Sequence, residues 1–86
     1  MRIPRDIGGE ELVKILKKYG YQITRQTGSH IRLTTDVKGE HHITIPKHKF
    51  LRVGTISNIL TDIANHLERN KEKLINDLFG EKKIDF

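Results

Sequence analysis

The segment YQITRQTGSHIRLTTDVKGEHHITIP, residues 21–46, decides the fold because polar and apolar side chains alternate along much of it. Ile31 and Leu33 are each flanked by polar residues, and Ile43 and Ile45 repeat the pattern. Successive side chains of a strand point to opposite faces, so this spacing predicts strands with one apolar face. The segment therefore predicts three antiparallel strands, at residues 21–26, about 29–35 and about 40–45.

Turn-forming residues separate these predicted strands. Thr27-Gly28 follows the first strand, and the stretch 36–39 (Asp-Val-Lys-Gly) follows the second. Pro46 ends the third strand because proline has no N–H to donate to a neighbouring strand. With Ile31 and Leu33 in the core, the alternation places a polar set on the opposite face of the sheet. This set is His30, Arg32, Thr34, His42 and Thr44.

Helical spacing is found on both sides of the predicted sheet. Upstream, apolar residues recur at i, i+3, i+4 and i+7 over residues 9–19, and Gly20 suits the position after a helix. Downstream, Thr55 is the predicted N-cap of a helix that reaches about Leu67. Asn70 is the predicted cap of a short third helix over about 70–79, and residues 81–86 are predicted to be a frayed tail.

This order of elements predicts an α+β fold of the type α-β-β-β-α with an extra C-terminal helix. Both main helices would cover one face of the sheet and leave the opposite face open. Double-stranded RNA-binding domains have this arrangement, although a fold by itself does not establish a function. At 86 residues the chain is expected to form one domain, with its core at about 9–67.

Positive charge and histidine are concentrated in one part of the chain. The net charge is +5, and residues 25–54 hold six Lys/Arg, two Asp/Glu and four of the five His. Focused basic charge on a small domain indicates a polyanionic partner, most often a nucleic acid. A solvated basic surface that favours solubility explains the same charge equally well.

Other partners and cofactors are disfavoured by what the sequence lacks. No apolar run is long enough to span a membrane, and the N-terminus does not resemble a signal peptide. We therefore expect a cytoplasmic protein without a membrane partner. Cys is absent and no ligand spacing is evident, so neither a metal nor another cofactor is predicted. His41 and His42 are adjacent in a strand and face opposite ways.

Three motifs occur in a defined order along the chain. They are RQTGSH at residues 25–30, ITIP at 43–46 and VGTISNIL at 53–60, and a basic loop follows the proline. In this order and spacing they resemble the HicA (YcfA-like) family of toxin–antitoxin systems. The resemblance covers roughly residues 11–67, so the C-terminal helix and tail extend beyond it.

The resemblance implies a small ribonuclease that cleaves mRNA, with a cognate HicB-like antitoxin that blocks its active site. It also implies that His30, the histidine after Gly28-Ser29, is the catalytic residue. Histidine suits this role because its unperturbed pKa lies near 6.5, so it can accept or donate a proton near neutral pH. Without the resemblance, an ordinary exposed histidine would be the simpler interpretation. A metal-independent endoribonuclease is therefore the expected function.

Seven further residues are candidate RNA contacts: Arg25, Ser29, Arg32, Lys47, His48, Lys49 and Arg52. Lys47 and Lys49 rank first because they precede the predicted helix start at Thr55, whose free N–H groups attract anions. Some of the basic residues would then be a solvated rim only. The apolar residues of this loop, Phe50, Leu51 and Val53, are expected to turn toward the core.

Alternatives to the ribonuclease remain at this point. A non-catalytic RNA-binding module with the same fold would use the same basic face, and His30 would then only hydrogen-bond to RNA. A structural partner of another protein would use the last helix. The apolar stripe of that helix, Leu74, Ile75, Leu78 and Phe79, is expected to close the core or to form a homodimer. His66 is expected only to interact favourably with the dipole of its helix.

Overall fold

The computed structural model describes residues 3–80 and has the α-β-β-β-α order with an extra C-terminal helix. This α+β architecture is that of double-stranded RNA-binding domains, which confirms the predicted fold class. The elements are α1 (Gly9–Leu16) with a 3₁₀ turn (Lys17–Tyr19), β1 (Gln22–Gln26), β2 (His30–Thr35), β3 (His41–Pro46), α2 (Val53–Leu67) and α3 (Lys71–Phe79). No helix within residues 3–80 is both long and apolar enough to cross a membrane.

The sheet is antiparallel, in the order β1-β2-β3, and the pairing of β2 with β3 confirms the alternation predicted for those two strands. The alternation predicted for the first strand was wrong, because a register shift puts Ile23 opposite Leu33 but Arg25 opposite Arg32. Leu33 lies opposite Ile43, and both side chains are buried. Residues opposite each other in an antiparallel pair point to the same face. The polar positions of β2 therefore share the other face with their partners. These pairs are His30 with Pro46, Arg32 with Thr44, and Thr34 with His42.

The edge strand β1 differs from its neighbours because all of its residues are exposed. Its pairing with β2 shifts between Ile23 and Arg25, which leaves Thr24 as an extra residue. Ile23 lies opposite Leu33 and yet is 47% exposed, because it sits at the free edge of the sheet. A bulge on an edge strand twists it and disfavours pairing with another chain.

The helices bury their apolar stripes on one face of the sheet and form one core cluster with it. The stripe predicted for α2 is buried, and it consists of Ile56, Ile59, Leu60, Ile63 and Leu67. Gly20, which follows the 3₁₀ turn, has a φ of 82°. A positive φ of this size favours glycine, so the predicted helix end is confirmed.

The predicted start of α2 was wrong. The helix begins at Val53, and its N-cap residue is the extended Arg52 rather than Thr55. Leu51 explains this start. Its side chain is buried, and its backbone N–H donates to the carbonyl oxygen of Ile7 at 2.7 Å. This contact anchors the chain just before the helix.

The loop before α2 buries only one of its three large apolar side chains. Leu51 is 3% exposed, whereas Phe50 is 59% and Val53 41% exposed. The expectation that Phe50 and Val53 turn toward the core was therefore wrong. Contacts of the loop backbone with the start of the chain fix its path, and this path directs only Leu51 inward.

Helix α3 adds its apolar residues to the core cluster that contains those of α2. Asn70 is its N-cap, as predicted, and Oδ1 accepts a hydrogen bond from the backbone N–H of Lys73 at 3.0 Å. Leu74 and Ile75 are buried. Leu78 and Phe79 are partly buried against the same cluster. The apolar stripe thus packs within the chain, which is one of its two predicted roles, and residues 81–86 of the predicted tail lie outside the described residues.

A polar cluster joins α3 to the end of α1. Lys18 Nζ lies 2.8 Å from a carboxylate oxygen of Asp77, and the hydroxyl of Tyr19 donates to the other oxygen. The hydrogen bond from Lys18, followed by that from Tyr19, lowers the pKa of Asp77. Burial, followed by the bond to Asp77, raises the pKa of Tyr19 to about 12. Arg69 adds a hydrogen bond of 2.8 Å to the Tyr19 oxygen.

A second polar cluster joins α2 to the turn between β2 and β3. His41 Nε2 lies 3.1 Å from the carboxylate of Asp62, which can only accept, so Nε2 carries the proton. The hydroxyl of Tyr21 then donates to His41 Nδ1 at 2.6 Å. The ring of His66 stacks on that of His41 at 4.3 Å. The Nε2–H of His66 donates to the carbonyl oxygens of Val37 and Gly39. The expectation that His66 interacts only with the dipole of its helix was therefore wrong.

Substitution of Tyr21, the buried member of this cluster, tests the cluster through its pH dependence. Burial, followed by the charge of Asp62, raises the pKa of Tyr21 from 10.0 to about 12. The unfolded chain therefore loses this proton first as the pH rises. The stabilisation is complete below pH 10 and is lost as the pH rises toward 12.

Tyr21→Phe should lower the free energy of unfolding near neutral pH by about 1 kcal/mol, because His41 Nδ1 loses its donor. The variant should also lose less stability than the native chain between pH 10 and 12. Denaturant titrations followed by circular dichroism measure both effects. Equal losses at alkaline pH in the two proteins would show that the Tyr21 hydroxyl does not titrate with unfolding.

Candidate active site

The sheet face opposite the helices carries the polar side chains of β2 and β3. His30, Arg32, His42 and Thr44 are exposed there, and Thr34 is half-buried. The face is open because all three helices contribute their buried residues to the core on the other side. A side chain on this face can meet a large ligand without any movement of the core.

A hydroxyl-centred turn presents His30 at the start of β2. Thr27 Oγ1 accepts hydrogen bonds from the backbone N–H groups of Ser29 at 3.3 Å and of His30 at 3.1 Å. The backbone N–H of Thr27 donates to the carbonyl oxygen of His30 at 2.9 Å. These bonds satisfy the turn backbone locally and fix the direction in which β2 begins.

The side chain of His30 is held by its neighbour and remains exposed. Ser29 Oγ lies 3.1 Å from Nδ1 of the imidazole. The carbonyl oxygen of Ser29 accepts a hydrogen bond of 2.8 Å from the backbone N–H of Lys47. This last bond ties the turn before β2 to the loop after β3, so Ser29, His30 and Lys47 form one site.

Two arginines lie next to His30 on the open face. Arg25 of β1 is directly opposite Arg32 of β2, and both are exposed. Arg32 follows His30 by two residues and so points to the same face. Within residues 3–80, neither guanidinium lies within 4.0 Å of a carboxylate. The pair therefore supplies positive charge for an anion bound beside His30.

The loop after β3 lies against the start of α1. The backbone N–H of Gly9 donates to the carbonyl oxygen of His48 at 2.9 Å. A Cβ on Gly8 would lie 2.5 Å from the carbonyl oxygen of Lys49, and one on Gly9 would lie 2.1 Å from that of Pro46. Only glycine permits such close approach of two backbones, so Gly8-Gly9 fixes the position of the basic loop.

A groove of about 640 Å³ runs between this loop and α1. One wall has the basic residues Lys47, His48 and Lys49, and the other has acidic side chains. Glu10, on the acidic wall, lies 4.0 Å from Lys47 Nζ. The acidic residues are Asp6, Glu10 and Glu11, and Gly28 and Phe50 complete the lining. Its charge is therefore mixed, unlike that of the open sheet face.

The structure separates two features that the sequence reasoning had placed together. Lys47 and Lys49 were expected to flank an anion site at a helix start at Thr55. In the structure α2 starts at Val53, and both lysines line the groove at α1. Arg52 is at the N-cap position of α2, where its side chain makes no capping hydrogen bond, and it does not line this groove. The loop contacts thus form one group of predicted site residues: Ser29, His30, Lys47, His48 and Lys49. The adjoining sheet face carries Arg25 and Arg32. Arg52 lies farther along the chain.

A chain of hydrogen bonds crosses the open face at the opposite end of the hairpin. His42 Nδ1 lies 2.8 Å from Thr34 Oγ1, which lies 2.9 Å from Thr24 Oγ1 on β1. Glu40 approaches His42 Nε2 at 3.0 Å. In the described part of the chain, His30, His42 and His48 do not belong to any group of three ligands that could hold a metal ion.

Two contributors to this site escaped the sequence reasoning. Thr27 was predicted only as part of a turn. Its hydroxyl accepts from the backbone N–H groups two and three residues later, a pattern that threonine often forms in turns. Residue 9 was predicted only as the start of the first helix and Gly8 was given no role, whereas the contact of both glycines with the loop depends on tertiary structure. The Gly-Gly pair was the available signal, because adjacent glycines often mark close backbone contacts.

The family model of the HicA toxin of bacterial toxin–antitoxin systems matches residues 9–64, which is more than half of the chain. The chain belongs to the HicA toxin family. No curated protein and no solved structure matches the sequence. The matched region includes the sheet, the turn at His30 and the basic loop, and α3 lies outside it.

Membership in the HicA toxin family implies a cognate antitoxin as partner. The open sheet face is accessible, whereas the helices cover the other face of the sheet.

Substitution of Thr27 tests whether its hydroxyl organises the turn at His30. Thr27→Val keeps the shape of the side chain but removes the acceptor for the N–H groups of Ser29 and His30. These two amide hydrogens should exchange with solvent roughly fivefold faster, the effect of losing a hydrogen bond worth about 1 kcal/mol. Hydrogen exchange followed by NMR measures this rate.

Thr27→Ser is the matched control because it keeps the hydroxyl, and it should retain most of the protection. If Thr27→Val and the native chain exchange these two amides at the same rate, the turn does not depend on the Thr27 hydroxyl.

Proposed function

We propose that this HicA-family chain is a metal-independent endoribonuclease that cleaves mRNA, with His30 as its catalytic residue. The observation that carries the proposal is the presentation of His30: an exposed imidazole, bonded to Ser29 and placed beside Arg32 on the open sheet face. RNA needs only a proton-transfer group and positive charge for its cleavage, and this face offers both.

The proposed reaction uses a nucleophile that the RNA itself contains. The 2′-oxygen attacks the adjacent phosphorus, so a new O–P bond forms while the bond from phosphorus to the 5′-oxygen breaks. The 2′-hydroxyl gives up its proton, and the departing 5′-oxygen gains one. The products are a 2′,3′-cyclic phosphate and a 5′-hydroxyl, so no external oxidant, reductant or metal enters the balance.

His30 is the group that moves a proton in this scheme. Its Nδ1 is engaged by Ser29 Oγ at 3.1 Å, so we assign the transfer to Nε2. The imidazole of histidine is a common proton-transfer group in enzymes, as a base through its unprotonated nitrogen or as an acid through a bound proton. It can therefore serve as the base toward the 2′-hydroxyl or as the acid toward the 5′-oxygen.

Basic residues around His30 would bind the phosphates and stabilise the charge that develops on phosphorus. Arg25 and Arg32 adjoin His30 on the sheet face, and Lys47 is tied to the Ser29 carbonyl through its own backbone. We assign His48 and Lys49 to neighbouring phosphates along the loop. Arg52, at the N-cap position of α2, would contact only a longer RNA.

The cognate antitoxin would act by covering the face that carries His30. We propose a HicB-like antitoxin that competes with RNA for this surface, because an occupied open face leaves His30 inaccessible. The toxin would act in the cytoplasm on mRNA. The apolar stripe of α3, which suggested a homodimer, packs within the chain. The homodimer therefore stays a prediction without support from this stripe.

The main competing function is a non-catalytic RNA-binding module with the same fold. In that case His30 would only hydrogen-bond to the RNA, and its loss would weaken binding without affecting any cleavage. The ribonuclease is favoured because a pure RNA binder does not need an imidazole placed at the start of β2.

His30→Ala tests the two functions against each other. The variant should retain stability within about 0.5 kcal/mol, because the residue is exposed. It should also bind RNA, since the arginines and the basic loop remain. Cleavage in excess EDTA should fall by about 10²–10⁴-fold, the usual effect of losing one acid–base group.

His42→Ala is the matched control, because this second exposed imidazole lies on the same face at the other end of the hairpin. It should cleave RNA at nearly the native rate. Native-like cleavage by His30→Ala would remove His30 from the mechanism. If the native protein binds RNA but cleaves none, the binding module becomes the better account.

A further inference from the structure

Phe50 is an exposed aromatic side chain inside the basic loop. It is 59% exposed, although it lies between Lys49 and the buried Leu51. Exposure of a large apolar ring is unfavourable in water, since burial of a phenylalanine side chain is worth about 1.5–3 kcal/mol. A single exposed apolar residue is common, but this ring lines a groove beside basic residues, which makes it a candidate contact for a ligand.

The loop holds Phe50 in a defined place. On one side, the N–H of Leu51 donates to Ile7 at 2.7 Å. On the other side, the carbonyl of His48 accepts from Gly9, and that of Lys49 lies against Gly8. The backbone is thus fixed immediately before and after Phe50. A ligand that binds the ring therefore does not have to order the backbone of the loop, which lowers the entropic cost of binding.

The ring lies beside Lys49 and shares a groove with part of the proposed catalytic turn. Lys49 Nζ is 6.0 Å from the centroid of the Phe50 ring. Phe50 shares its groove with Lys47 and with Gly28, two residues before His30. An RNA strand whose phosphate is bound at His30 would therefore have its next nucleotides near Phe50.

We propose that Phe50 stacks against an unpaired base of the RNA substrate, so that the substrate is single-stranded beside the scissile phosphate. This inference rests on the proposed ribonuclease function. Bases of a duplex already stack on each other and cannot reach a protein ring, whereas bases of single strands stack readily on aromatic side chains. Single-stranded RNA is thus the class of substrate that Phe50 can recognise.

The charges of the groove agree with a base, rather than a phosphate, as its occupant. Asp6, Glu10 and Glu11 line the wall opposite the basic loop. These carboxylates repel a phosphate but can accept hydrogen bonds from the amino groups of a base. The sugar–phosphate strand would follow Lys47 and Lys49, while the base enters the groove beside Phe50.

The antitoxin is the other macromolecule that could contact Phe50. RNA is favoured because the groove that holds the ring offers basic side chains for phosphates and carboxylates that accept hydrogen bonds from the amino groups of a base. Binding of Phe50→Ala to the cognate antitoxin is therefore measured beside its binding to RNA, so each outcome assigns Phe50 to one of them.

Binding is measured in the His30→Ala background, so that the RNA stays uncut. Phe50→Ala should weaken the binding of an unstructured single-stranded RNA by about 5- to 150-fold, the range found for loss of one base stack. Binding of a perfect RNA duplex should be unchanged. Val37→Ala is the control, since Val37 is also an exposed apolar residue (44%) but lies in the turn at the far end of the hairpin.

The salt dependence separates stacking from charge. Phe50→Ala should lower the affinity at every salt concentration and leave the log–log slope unchanged, because no phosphate contact is lost. Lys49→Ala should make the slope shallower by about 0.7, the value for one contact on a single strand.

A Phe50→Trp variant reports stacking directly. The chain contains no other tryptophan, so its fluorescence comes from position 50 alone. Single-stranded RNA should quench this fluorescence, and the affinity should be kept, because an indole also stacks on bases. If Phe50→Ala fails to fold, Phe50→Trp still tests the inference.

Several outcomes would overturn the inference. They are an unchanged Kd for single-stranded RNA in Phe50→Ala, an equal loss for single-stranded and duplex RNA, and unquenched fluorescence of Phe50→Trp in a saturated complex. If only antitoxin binding is weakened, Phe50 belongs to the antitoxin interface instead. If the His30→Ala protein binds no RNA at all, the proposed function fails together with this inference, whereas an unchanged Kd removes only the role of Phe50.

Discussion

Burial of the apolar side chains of β2 and β3 beneath α1 and α2 determines what the rest of the molecule can present. Ile31, Leu33, Ile43 and Ile45 are all buried on this face, and each such burial is worth about 1.5–3 kcal/mol. A register slip of one residue would expose the whole set and bury charged and polar residues instead. The large cost of that alternative keeps His30 and Arg32 on the open face.

Two loops convert this constraint into a site. The hydroxyl of Thr27 directs the start of β2, and the bond between Ser29 and Lys47 ties that start to the loop after β3. Gly8-Gly9 then holds the same loop against α1 through contacts that a Cβ would prevent. The proposed catalytic residue thus depends on contacts from three separate parts of the chain, and all of the residues named except Gly8 lie within the region that matches the HicA toxin family.

The predictable part of this structure is the part that periodicity governs. The alternation of Ile31 and Leu33 predicted the polar face correctly, and the spacing in α2 predicted its buried stripe. The start of α2, the exposure of Phe50 and the bonds of His66 to the β2–β3 turn were missed, because tertiary contacts decide them. The groove at α1 was missed for the same reason. The roles given to His30 and the RNA contacts rest on chemical reasoning and on the family, so they stay predictions.

The central claim, that the chain cleaves RNA through the 2′-hydroxyl with His30 as proton-transfer group, is tested most directly by the substrate itself. One RNA sequence is prepared unmodified and with a 2′-O-methyl group at every nucleotide, and both are incubated with the native protein in excess EDTA. The account predicts that both RNAs bind and that only the unmodified one is cut, leaving 2′,3′-cyclic phosphate ends. Cleavage of the methylated RNA, or ends without a cyclic phosphate or its hydrolysis product, would contradict it.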